Sequence, residues 1–204
     1  MKRAAWCILT ILALTITLVS SDVHAQTSSN IKVRVVSPRT GATIDIPKEQ
    51  TSITIVVEVE DRGGVAKLDS KGVPIFTPIP LPQAGDAERP SFEAVNANLR
   101  AFLGGLVGPP TVFSRTKAGG KDPVTVYQLV AQVSPQYLFN TCQVPVWPAD
   151  MTKPGDYSPV GYKPGAMFVF RVGDSTDTPN ENEKDQSEPQ LCLIFSEKTQ
   201  LQQP

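Results

Sequence analysis

Histidine is almost missing from this sequence. The only one is His24, which precedes the part of the chain that we expect to fold. Without imidazole, a chain cannot assemble a Ser-His-Asp or Cys-His nucleophile, and it lacks the usual proton carrier near neutral pH. Zinc, copper and haem sites that use histidine ligands are excluded as well. Most common hydrolase mechanisms are therefore ruled out, and we expect a protein that is not an enzyme.

An excess of positive charge is also missing. The chain has 19 Lys+Arg against 20 Asp+Glu, so no basic surplus is available to neutralise a nucleic-acid backbone. We therefore expect no nucleic-acid partner. Aromatic residues make up only 7% of the sequence, and the 19 prolines argue against long helices and a coiled coil. A length of 204 residues suits one domain.

The first 25 residues have the pattern of a secretory signal peptide. Lys2 and Arg3 form a positive start, residues 4–19 are mostly apolar, and the segment ends in Val23-His24-Ala25. The apolar run is shorter than the ~20 residues that a membrane-spanning helix needs, so membrane contact is expected only through this segment while it remains uncleaved. Cleavage after Ala25 would leave residues 26–204 as a periplasmic or secreted protein.

Two cysteines remain after that cleavage, Cys142 and Cys192. An even number of cysteines in an exported chain favours a disulfide, because the compartment is oxidising. A buried pair of free thiols and an intermolecular bridge are the alternatives. Two cysteines alone would leave a structural zinc site without two of its four ligands.

Alternating apolar and polar residues predict a mainly β protein. Thr51 to Glu60 and Val124 to Val133 are the strongest candidates, since both are rich in β-branched residues. Further strands are predicted over residues 31–36, 65–68, 111–114, 137–142, 166–172 and 190–196.

A proline-rich insertion of about residues 74–122 contains the one predicted helix. Ser91 is its expected N-cap, and apolar residues recur at helical spacing from Phe92 to Leu106, where glycines end the pattern. We expect this apolar stripe to pack on the sheet; the alternative is an exposed docking helix. Residues 143–165 contain many prolines and are predicted to have little regular structure.

The segment from residue 31 to 76 contains a strand, a Ser-Pro-x-x-Gly-Ala turn, a β-branched strand, and then Glu-Asp-x-Gly-Gly-Val-Ala and Lys-Gly-Val. It resembles the opening strands of bacterial immunoglobulin-like domains. The resemblance implies a single immunoglobulin-like β-sandwich over residues 26–204, used for binding or architecture. The sequence departs from that pattern after Val73, where the insertion begins.

Three aromatic residues of the loop-rich region form the candidate ligand-binding surface: Trp147, Tyr157 and Tyr162. Aromatic rings stack on sugar faces and anchor protein partners. The alternative is that they pack against neighbouring prolines and stiffen the loop.

Calcium is the only cofactor that the sequence suggests. Glu58, Glu60 and Asp61 lie together at a strand end, and six carboxylates fall within residues 174–188. Carboxylate oxygens are the ligands that calcium prefers. A solvated strand face and a solvated loop are the alternatives.

These observations favour an exported, non-catalytic binding or structural module with a protein or carbohydrate partner in the envelope or outside the cell. The alternative is a carboxylate-dependent carbohydrate-active enzyme, which requires two facing carboxyls about 5–10 Å apart. A subunit of an envelope complex would instead leave the helix exposed.

Overall fold

Strands dominate the computed structural model, which describes residues 30–39, 41–44, 52–115, 123–148, 158–175, 190–195 and 201–204. The mainly β prediction, with one helix, is confirmed for these residues. The elements in chain order are β1 (Ile31–Ser37), β2 (Thr43–Ile44), β3 (Ile53–Arg62), β4 (Phe76–Thr77), α1 (Arg89–Gly104), β5 (Thr111–Arg115), β6 (Val124–Val133), β7 (Cys142–Val146), β8 (Gly161–Val169), β9 (Arg171–Val172) and β10 (Gln190–Phe195).

The first sheet has the strand order β1-β3-β6-β5, and all of its pairs are antiparallel. Its central pair, β3 with β6, runs without a register shift from Ile53 opposite Val133 to Arg62 opposite Val124. Alternate residues of β3 are buried on one face. The β-branched alternation of the sequence therefore places one face of this sheet in the core.

The second sheet has the order β2-β10-β8-β7, with β2 parallel to β10 and the other pairs antiparallel. Strands β4 and β9 form a separate antiparallel pair. Side chains from both four-stranded sheets share one buried cluster, which includes Val57, Leu129, Phe168 and Leu193. This arrangement is consistent with the predicted β-sandwich.

Helix α1 packs on β8 and β6 with its apolar stripe buried. Phe102 is fully buried and meets Phe170 edge-on, with ring centroids 5.0 Å apart. Burying such a ring contributes about 1.5–3 kcal/mol to stability. The prediction that the stripe packs on the sheet is confirmed. The predicted cap is wrong, because the helix begins at Arg89 and Ser91 lies inside its first turn.

Two predictions in the C-terminal half are also wrong. The strand predicted over residues 137–142 does not form, because a short 3-10 turn covers Pro135–Tyr137 and β7 begins only at Cys142. The proline-rich region 143–165 is not irregular throughout, since it contains most of β7 and the start of β8. Pro145 lies in an edge strand, and Pro164 lies beyond the last β8–β10 pair, Gly165 with Ile194. At neither position does the backbone N–H have to donate to a second neighbouring strand, so proline is tolerated there.

The predicted disulfide between Cys142 and Cys192 is present. It joins β7 to β10 across the intervening strand β8. The bridge passes over Gly165, where an added Cβ would lie 2.9 Å and 3.0 Å from the two Sγ atoms. The disulfide therefore connects two strands that do not pair with each other.

We expect reduction of this disulfide to lower the free energy of unfolding by about 4 kcal/mol, because the bridge closes a long loop in the unfolded chain. For a domain of this size, the melting temperature should fall by roughly 10 °C. Calorimetry with and without dithiothreitol measures the change, and the double variant Cys142→Ser/Cys192→Ser should match the reduced protein. Reaction of both thiols in the folded, unreduced protein would contradict the bridge.

Candidate functional site

The candidate site lies on the antiparallel hairpin of β7 and β8. Pro145 is opposite Tyr162, and the Val160 N–H donates to the Val146 carbonyl oxygen at 2.8 Å. Residues opposite each other share a face of a sheet, as do residues two apart in a strand. The same side of the hairpin therefore presents four side chains, which we call the hairpin face: Pro145, Trp147, Val160 and Tyr162.

The hairpin face is apolar and open to solvent. Trp147 is 47% exposed, Val160 69% and Tyr162 61%. Along β8, the alternation that turns Tyr162 to this side also turns Ala166 and Phe168 into the core. The core-facing side of the second sheet therefore continues into the hairpin, where the side chains of the hairpin face are exposed to solvent. Of the three predicted aromatics, Trp147 and Tyr162 fall on the same side of the hairpin by this register, and Tyr157 lies outside the described residues.

The base of the hairpin is fixed by a buried asparagine. Asn98 of α1 donates through Nδ2 to the carbonyl oxygens of Phe139 and Met167, both at 3.1 Å, and to Thr141 Oγ1 at 3.2 Å. Its Oδ1 accepts the Phe139 N–H at 2.7 Å. Together with the disulfide at Cys142, these bonds support the hairpin face on a rigid base.

Sequence reasoning missed Asn98, although a signal was present. Asn98 is three residues after Val95 and four before Phe102, so it occupies the apolar stripe of the helix. A polar residue on a buried stripe requires hydrogen-bond partners.

The proposed calcium ligands at the end of β3 do not come together. Glu58 accepts hydrogen bonds from Arg34 Nε at 2.8 Å and Gln128 Nε2 at 3.1 Å on the outer face of the first sheet. Glu60 shares that outer face, whereas Asp61 points inward and accepts the Val65 N–H at 2.8 Å. Adjacent strand residues point to opposite faces, which separates Asp61 from the two glutamates.

Tyr127, a neighbour of Asp61, has a shifted pKa. Burial raises the pKa of the Tyr127 phenol above its ordinary value, and the negative charge of Asp61 raises it further.

No group of three or more potential metal ligands occurs among the described residues. Of the acidic segment 174–188, the structure describes only Asp174 and Ser175.

At least two clefts are lined by described residues. A groove of about 820 Å³ lies between residues 69–76 and the end of α1, and Asp69 is its one carboxylate. That carboxylate accepts the N–H groups of Lys71 and Val73, both at 2.8 Å, as a turn residue does. A smaller cleft of about 70 Å³ on the outer face of the first sheet contains one carboxylate, Glu60. Neither cleft offers the pair of carboxyls that glycoside hydrolysis requires.

Comparison with models of protein families, with curated proteins and with solved structures found no match. The resemblance of residues 31–76 to immunoglobulin-like domains therefore stays a prediction. Within the described ranges, the structure has no helix long and apolar enough to cross a bilayer.

Proposed function

We propose that this chain is an exported, non-catalytic binding module that contacts a protein partner through the hairpin face, in the cell envelope or outside the cell. One observation carries the proposal: a core-facing sheet surface continues past the core and exposes Trp147, Val160 and Tyr162. Exposed apolar patches of this kind mark interaction sites.

The composition of the hairpin face favours a protein over a carbohydrate. Trp and Tyr are the residue types that most often anchor protein interfaces. Val160 and Pro145 add aliphatic surface, which offers a sugar neither a stacking plane nor a hydrogen bond. Pro145 also removes a backbone donor from the edge strand β7. Recognition should therefore depend on side chains and not on addition of a partner strand.

Export is supported by two features of the chain. The signal-peptide pattern of residues 1–25 predicts secretion, although those residues lie outside the described ranges. The Cys142–Cys192 disulfide fits an oxidising compartment.

The lack of the residue combinations that common hydrolases use supports a non-catalytic role. No histidine follows His24, and the two clefts each contain a single carboxylate. An envelope-complex subunit that docks through the helix is disfavoured, because Leu99 and Phe102 of α1 are buried.

Alanine substitution of either aromatic should weaken partner capture while the fold is retained. Interface anchors contribute about 2 kcal/mol or more each, so Trp147→Ala and Tyr162→Ala should each weaken binding by about 30-fold. The measurement is capture from an envelope extract by the immobilised mature protein, with bound proteins identified and quantified by mass spectrometry.

Tyr137→Ala is the matched control, because Tyr137 is 59% exposed and lies outside the hairpin. The control should bind as the wild type does, and all variants should melt near the wild-type temperature. Capture that is unchanged by both hairpin substitutions would refute the proposal. Capture of a polysaccharide in place of a protein would contradict the choice of partner.

A further inference from the structure

The outer face of the first sheet places three cations around the smaller cleft. Register pairs Arg62 of β3 with Val124 of β6, and Val124 with Arg115 of β5. In the next row, Lys32 of β1 is opposite Glu60. Four strands therefore bring these side chains to one end of the sheet, where they line a single cleft, the basic cleft: Lys32, Glu60, Arg62, Arg115, Val124 and Val126.

The basic cleft has an unbalanced positive charge. Beside the cleft on the same face of the sheet, the guanidinium of Arg34 is paired with the carboxylate of Glu58. No ion pair within the described part of the chain involves Lys32, Arg62 or Arg115. Among the described residues that line the cleft, three cations against one carboxylate leave an excess of two positive charges, although the formal net charge of the whole sequence is −1. Like charges held close together favour the binding of an anion.

The size and walls of the basic cleft limit the kind of anion. Val124 and Val126 are buried and form its floor, while the charged groups surround the opening. Its volume of about 70 Å³ accommodates about five to seven heavy atoms, since one water needs roughly 10–15 Å³ by the same measure. Guanidinium groups bind oxyanions through paired N–H donors, and lysine adds a point charge.

We propose that the basic cleft binds a compact tetrahedral oxyanion, the phosphate or sulfate group of a larger ligand. Three cations contributed by three strands suit an anion with three outward oxygens better than a planar carboxylate. The valine floor excludes water from one side, which strengthens the charge-assisted hydrogen bonds. This surface is separate from the hairpin face and does not depend on the function proposed for it.

The test is a titration of the folded mature protein with inorganic phosphate or sulfate at constant ionic strength, followed by amide chemical shifts. We expect saturable shifts at Lys32, Arg62 and Arg115, with no saturable shift on adding chloride. Arg62→Gln and Arg115→Gln should each weaken binding at least tenfold. Arg100→Gln, an exposed substitution on α1, should leave binding unchanged.

The comparison of the two anions identifies the source of the group. Tighter binding of phosphate points to a phosphate ester, and tighter binding of sulfate to a sulfate ester. Shifts that chloride reproduces, or wild-type affinity in both arginine variants, would overturn the proposal. Because both arginines are exposed, their variants should fold, and Lys32→Gln provides a third variant. Loss of partner capture in the Trp147 and Tyr162 variants with phosphate binding intact would separate the two sites.

Discussion

Replacing Gly165 by alanine is expected to lower the free energy of unfolding by about 3 kcal/mol. An added Cβ would lie 2.6 Å from the carbonyl oxygen of Leu193 and within 3.0 Å of both disulfide sulfurs. The strand β10 and the bridge would have to move away from β8 together, since the contact involves backbone. For a domain of this size, the melting temperature should fall by about 6–12 °C.

Gly161→Ala is the matched control, because it lies in the same strand and an added Cβ there meets no atom within 4 Å. Alanine at that position should change stability by about 0.5–1 kcal/mol at most, since glycine in a strand is itself unfavourable. Equal melting temperatures for the two variants, measured by calorimetry under oxidising conditions, would contradict the crossing of the disulfide over Gly165.

Replacing Asn98 by alanine is expected to lower the free energy of unfolding by about 4 kcal/mol. The substitution removes the partners of the Phe139 N–H and of the Met167 carbonyl oxygen, and an unsatisfied buried group costs about 1–3 kcal/mol. The variant should also expose the hairpin base to hydrogen exchange, because α1 no longer holds residues 139–141. Chemical denaturation and amide exchange measure the two effects.

Asn98→Asp distinguishes hydrogen bonding from side-chain volume. Aspartate has nearly the same shape and retains the acceptor for Phe139, but it places a charge against the carbonyl oxygens of Phe139 and Met167. We expect Asn98→Asp to be at least as unstable as Asn98→Ala. Arg100→Ala, an exposed change in the same helix, should be nearly neutral. A stable Asn98→Asp protein would show that the amide hydrogen bonds contribute little.

The strands with the clearest alternation were the most predictable part of the fold. Residues 124–133 form a strand with the predicted bounds, and β1 differs from its prediction by one residue. Each has an apolar face that is buried in the core, formed by Ile31 and Val33 in β1 and by Tyr127, Leu129, Ala131 and Val133 in β6, so local pattern and tertiary packing agree. The disulfide was predictable too, because compartment and cysteine number left few alternatives.

Features that depend on the pairing of distant strands could not be predicted from the local sequence. Proline argued against a strand over residues 143–165, yet Pro145 is tolerated because β7 has a neighbour on one side only. The basic cleft was missed for a similar reason. Arg62 and Arg115 are far apart in sequence, and only the pairing of both strands with β6 brings them together.

The candidate site was predicted by residue type and not by geometry. Trp147 and Tyr162 share a face because Pro145 is opposite Tyr162, a register that the sequence does not specify. Glu58 and Glu60 share a face of β3, as alternation predicts, whereas Asp61 is turned inward, away from both.

Photo-crosslinking in living cells tests the binding role of the hairpin face most directly. A benzophenone amino acid at position 162 would probe that face, and the same group at position 137 would probe an equally exposed tyrosine elsewhere. We predict a discrete crosslinked protein from position 162 and none from position 137. Absence of a crosslink at position 162, or the same product from both positions, would contradict the account.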